Sequence, residues 1–250
     1  MNFSRLKSLA IITMLVIAFG CDKDEEVPAY VVNNSVKPID FLSEKTYSTL
    51  NIEIAYVAGN EPSQTAMNHL SAFLSEHLNK SGGVKFTMHT IPATGRLTID
   101  VDAIRTTEKA QRKLVTSGKE ITAYVTFLDT DYSESTSSQK VLGLAYGASS
   151  MAVFAKTLNA FARPDMPIRS TMETFILNHE FSHILGLVNN GVPMVSPHQD
   201  NAHGAHCSNT ECLMYWQAET NVRLGDLLGP DDVPDLDPNC TADLKAAGGK

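Results

Sequence analysis

The stretch LNHEFSHILGLVNNG, residues 177 to 191, carries two imidazoles four positions apart and a carboxylate directly after the first. On a helix, His179 and His183 project from one face, one turn apart. Two imidazoles so placed can share one zinc ion. Glu180 can then reach water on that metal and take its proton as general base. A catalytic zinc takes three protein ligands and keeps a fourth position open. Gly186, soon after His183, can end the helix and turn the chain back toward the metal.

The third ligand is not fixed by these residues. Asn189 stands closest along the chain, but a neutral amide oxygen is a poor zinc ligand. Further on, SPHQDNAHGAHCSNTECLMYWQ adds His198, His203 and His206. Five of the chain's eight histidines fall between 179 and 206, a density beyond that of an ordinary polar loop. Asn189, His198, His203 and His206 all stay open at this level.

A resemblance narrows the choice. Metzincin peptidases carry H-E-x-x-H-x-x-G-x-x-H, or aspartate in the last place; here that place holds Asn189. His206-Cys207, followed by Cys212 and Met214 in the pattern H-C-x4-C-x-M, resembles the archaemetzincins. That resemblance implies His206 as third zinc ligand and Met214 as the turn beneath the metal. It makes residues 187 to 205 an insertion, and it implies one catalytic zinc with Glu180 as catalytic residue. Two departures stand out: Ser182 replaces a common glycine, and only Cys240 follows Cys212 where archaemetzincins have further cysteines, including a C-x-x-C pair, for a second zinc. A second zinc is therefore not expected. A disulfide among Cys207, Cys212 and Cys240 is expected instead, its pairing left open. As a whole the chain resembles bacterial lipoproteins called membrane metalloproteases.

Several elements must position these residues. NIEIAYV alternates and is rich in β-branched residues, so it predicts a strand from Asn51. Met67, Leu70, Leu74 and Leu78 recur at helical spacing, with Ser63 as cap. VKFTMHTI and EITAYVTFLD predict strands around a polar helix over 99–115, and VLGLAYG and MAVFAK predict two more. RSTMETFILNHEFSHILGL predicts the long helix that carries the histidines. The order gives an α/β (α+β) fold: a mixed sheet with helices, an active-site helix, and a small irregular C-terminal subdomain. By resemblance this is a metzincin-like zincin, with an upper subdomain 49–188 and a lower one 189–250. Beyond Val188 only short helical pieces are expected, for example from Asn221 to Leu228. The segment 140–150, KVLGLAYGASS, is the candidate edge strand for an extended substrate, as in metzincins.

The ends of the chain speak to location. Residues 1–20 have Arg5 and Lys7, then an apolar run to Phe19 that is too short to span a bilayer. This is the pattern of a secretory signal. Cys21, preceded by Gly20, resembles the lipidated cysteine of bacterial lipoproteins, although Ala18 stands where leucine is usual. Residues 21–48 read as a lipidated cysteine with a polar, flexible tether. An exported protein anchored to a bacterial membrane through Cys21, at the outer membrane or cell surface, is the expectation. Net charge is −8 over 250 residues, with no long basic run, which argues against a nucleic-acid partner. A monomer acting on peptide or protein substrate is expected. The leading function is a zinc endopeptidase. The alternatives are a catalytically silent zinc-binding lipoprotein, a zinc hydrolase of a non-peptide amide, and a periplasmic zinc carrier. The retained Glu180 disfavours the silent form, and a carrier has no use for a helical H-E-x-x-H. Substrate specificity and any latency mechanism are not legible.

Overall fold

The computed structural model of the chain describes residues 36–161, 168–219 and 233–250. Five strands form the main sheet: β1 (Thr49–Val57), β2 (Val84–Ile91), β4 (Glu120–Leu128), β6 (Gly143–Gly147) and β7 (Ser150–Phe154). Their order across the sheet is β2-β1-β4-β7-β6. The first four neighbours run parallel, and β6 alone runs antiparallel, paired with β7 at the open edge. β3 (Thr98–Ile99) and β5 (Asp131–Tyr132) make a small separate ladder. The helices are α1 (Pro38–Leu42), α2 (Gln64–His77), α3 (Val101–Gln111), α4 (Ala155–Phe161), α5 (Arg169–Ile184) and α6 (Pro238–Ala246). A short 3-10 turn spans Trp216–Glu219.

Parallel neighbours require crossover connections, and α2 supplies one between β1 and β2. The period-2 alternation of the central strand then sorts its side chains to two cores. Ile121, Ala123, Val125 and Phe127 of β4 join one cluster with α2 and α5. Tyr124 and Leu128 join the other with Ile104 of α3. The sheet thus lies between helix layers, and α5 belongs to the larger core. Ser63 caps α2 as the sequence predicts, accepting from the amide of Ala66 at 3.2 Å.

The tether reading ends earlier than residue 48. Residues 38–42 form α1, and Phe41 and Leu42 are fully buried. Phe41 packs edge-on against Phe181 of α5, ring centroids 6.3 Å apart. The buried Lys80 ammonium fastens this segment by donating to the carbonyls of Asp40, Ser43 and Tyr47 at 2.6–2.7 Å. A pentapeptide helix is too short to show a periodic pattern, so its tertiary anchoring is what defines it. Among the described residues beyond Val188, the short helix α6 begins at an Asp237 cap whose side chain accepts from the Cys240 amide at 2.8 Å.

The expected signal, Cys21 and the expected helix from Asn221 to Leu228 lie outside the described residues. Among the described residues, no helix is long and apolar enough to cross a membrane.

Candidate active site and metal centres

Thirteen of the sixteen residues of α5 are buried, including His179 and Glu180. A helix hydrophobic or enclosed on nearly every side is a core helix. Its polar groups must therefore be individually satisfied. Glu173 does so by accepting from the Ser63 amide and from Arg169, both at 2.8 Å. The helix ends at Gly186, whose φ is +85°. A Cβ there would lie 2.7 Å from Pro38 Cγ and 3.0 Å from the Val192 amide nitrogen. Glycine is thus required by both backbone angle and space. The turn it makes leads the chain away from α5 and, after a loop, back to it.

The returning segment delivers His206. The ring nitrogens of His179, His183 and His206 offer one ligand atom each, all within 4.8 Å of one another. His183 Nε2 and His179 Nε2 are 3.2 Å apart. For Zn–N bonds of about 2.0–2.1 Å, the edge of a tetrahedron is about 3.3–3.4 Å, so the spacing fits one shared ion. Outer partners set two of the rings. His179 Nδ1 lies 2.7 Å from the Leu213 carbonyl, and His206 Nδ1 lies 2.6 Å from the His203 carbonyl. Each Nδ1–H donates to its carbonyl, which presents Nε2 with its lone pair as the ligand atom. Three neutral nitrogens with one side open are a donor set suited to a catalytic zinc. Met214, next to Leu213, is fully buried, and its carbonyl accepts from the Cys207 amide at 2.7 Å.

Glu180 is held by the sheet edge. Its Oε2 accepts from the Ala145 amide of β6 at 2.7 Å. Gly143, two positions earlier, lets this strand pass directly over the helix. A Cβ at Gly143 would sit 2.5 Å from Ile176 Cγ2 and 2.9 Å from Glu180 Cγ. A cleft of about 330 Å³ opens beside His183, lined by Ala145, Gly147 and Ala148 of the edge and by Pro38, Ile184 and Asn190 below. The predicted edge strand and the site therefore meet.

The other candidates sit elsewhere. Asn189 is exposed in left-handed backbone at φ +59°, and its amide points to Gln199 Oε1 at 3.5 Å. His203 pairs with Asp200 at 2.6 Å and stacks on Trp216 with centroids 4.0 Å apart. His198 belongs to a second cluster with the cysteines.

That cluster overturns the disulfide expectation. Cys207, Cys212 and Cys240 are all buried and unbridged. Cys212 Sγ lies 3.7 Å from Cys240 Sγ. His198 Nδ1 lies 3.3 Å from Cys207 Sγ and 3.8 Å from Cys240 Sγ. The His198, Cys207, Asp237 and Cys240 ligand atoms fall within 4.8 Å of one another. Hydrogen bonds with Cys207, then Cys240, pull the Cys212 thiol below its ordinary range, while hydrogen bonds with Cys207, then Cys212, push the Cys240 thiol up. Burial alone would lower the His198 pKa, but Asp243 and Cys207 outweigh it and raise it. The fitness of these atoms for a second metal was missed because the pattern of further cysteines is incomplete. The available signal was Cys240-x-x-Asp243, an acidic residue where the second cysteine of a C-x-x-C pair would fall.

No protein-family model matches the chain, and no curated protein matches it in sequence. Solved structures do match. The zinc-dependent peptidase of Methanocorpusculum labreanum has a TM-score of 0.48 at 18% identity, covering 77% of this chain and 99% of that one. Metalloproteinase-II of Bacteroides fragilis has a TM-score of 0.46 at 15% identity, covering 81% of this chain and 54% of that one, so this chain spans about half of its length. The archaemetzincin of Methanopyrus kandleri has a TM-score of 0.51 at 17% identity, covering 80% of this chain and 96% of that one. The chain has the fold of that archaemetzincin.

Proposed function

We propose that the protein is a zinc-dependent endopeptidase, with His179, His183 and His206 as ligands and Glu180 as general base. The observation that carries this reading is the convergence of three imidazoles around one point beside a carboxylate already oriented by a backbone amide. The archaemetzincin fold supports it. A zinc ion bound there would polarise the scissile carbonyl and acidify the attacking water.

The chain's own groups do the rest. Glu180 takes the proton of the attacking water and passes it to the leaving amine. The Ala145 N–H fixes Oε2, so the carboxylate cannot swing away from the cleft. The edge strand β6 offers backbone groups along which an extended peptide can align. Gly147 and Ala148 line the cleft without bulk. Removing metal with a chelator is expected to abolish cleavage of a peptide mixture, and added zinc to restore it. Cleavage that survives complete metal removal would sink the reading.

Gly143→Ala tests the positioning of Glu180. The new methyl is expected to displace the carboxylate and lower kcat about tenfold to a hundredfold, with zinc content unchanged. A kcat equal to the parent's would show that β6 does not constrain the base.

Export and lipid anchoring through Cys21 complete the proposal and rest on the sequence of the first 21 residues alone. Release of a Cys21→Ser variant from the membrane fraction is the expected result; retention would refute the anchor.

A further inference from the structure

We propose that the N-terminal segment 36–42 is one wall of the substrate cleft, with Pro38 as a specificity-determining residue that restricts one substrate position beside His183 to uncharged, apolar side chains. The inference rests on the peptidase reading and deepens it. The cleft of about 330 Å³ beside His183 has two sides that are far apart in the sequence. One is the β6 edge and the hairpin after it. The other is Pro38, joined by Ile184 at the end of α5 and Asn190 in the turn that follows.

The register of β6 strips its side of bulk. Side chains alternate along a strand, and Leu144 and Tyr146 pack into the core with α3. Gly143 and Ala145 face α5. Only Gly147 and Ala148 extend this wall along the cleft. It offers backbone hydrogen bonds and almost no side chain, so it aligns a peptide without choosing among side chains. The choice falls to the opposite wall.

That wall is built and held. A Cβ on Gly186 would lie 2.7 Å from Pro38 Cγ, and one on Gly191 would lie 2.9 Å from the same atom. The proline ring thus fills a hollow that two glycines leave in the turn after α5. Behind it the segment is fastened at several points. Phe41 packs on Phe181 of α5, and the Leu42 carbonyl accepts from the Asn79 amide at 2.8 Å. The Lys80 ammonium donates to the carbonyls of Asp40, Ser43 and Tyr47. A rigid ring on a fastened segment keeps a fixed distance from the edge strand.

The chemistry of the lining sets the class of side chain. Apart from the zinc ligand His183, no ionisable side chain lines this cleft among the described residues. The Asn190 amide already donates to the His183 carbonyl at 3.2 Å. A charged side chain entering here gives up hydration and finds no ionic partner. An apolar one gains contact with Pro38 and Ile184.

The test is cleavage of a peptide library, varied at each position about the scissile bond, by the full zinc-loaded chain and by variants on both walls. In the parent, leucine or phenylalanine at one position should give kcat/KM at least about tenfold above lysine or glutamate there. Pro38→Glu and Ala148→Asp each place a carboxylate in the same space from opposite sides. Both should move the preference at that one position toward lysine and arginine by about tenfold, with zinc content and circular dichroism at parent values. Pro38→Ala only removes the ring and should lose most of the apolar preference; it carries the test where the glutamate disturbs folding. A response to Ala148→Asp with none in either Pro38 variant, responses at two different positions, or a parent indifferent to charge would each overturn the inference and leave the peptidase reading standing. A zinc-loaded parent that cleaves no peptide would sink that reading and the inference with it.

Discussion

Glu180→Gln is expected to lower kcat/KM for peptide hydrolysis by about 10² to 10⁴ while zinc content stays at the parent value. The substitution keeps the size of the side chain and removes its ability to accept a proton. Glu180 is buried at 1% exposure, and its Oε2 takes the Ala145 amide at 2.7 Å. A glutamine oxygen can keep that hydrogen bond, so the fold and the metal ligands should be undisturbed. A loss of activity with retained zinc therefore reports on the base alone. Activity near that of the parent would remove Glu180 from the mechanism.

His206→Ala is the second large effect. Of three neutral nitrogens, it removes the one brought in from outside α5, and two ligands hold a catalytic zinc poorly. Zinc at the catalytic centre is expected to fall below one-tenth occupancy at metal concentrations that fill the parent, with hydrolysis lost in proportion. Asn189→Ala, at the place where the metzincin pattern has its third ligand, is expected to keep both. Its side chain is exposed and turned to Gln199. Zinc retained in His206→Ala and lost in Asn189→Ala would reverse the assignment.

The juxtaposition of His179 and His183 was legible because helical periodicity alone places both on one face. The sheet was legible too, since β1 and β4 alternate between two buried cores. The third imidazole was not, because residue patterns left four candidates and only resemblance favoured His206. Geometry separates them: His203 is occupied by Asp200 and Trp216, and His198 by the thiols. The second cluster escaped the sequence for a physical reason. His198 meets Cys207 nine residues away and Asp243 forty-five residues away, separations that no local pattern encodes. α1 escaped for the opposite reason, being five residues long and defined only by the packing of Phe41 and Leu42. The role of Gly143 depends on how closely β6 crosses α5, which the glycine by itself does not announce.

The measurement that tests the central claim most directly is a crystal structure of the zinc-loaded protein with anomalous scattering recorded at the zinc edge. The account predicts a peak bonded to the Nε2 atoms of His179, His183 and His206, with a fourth position open to solvent on the side of Glu180. No peak among these three histidines, or a peak whose fourth position is closed by a protein side chain, would contradict it.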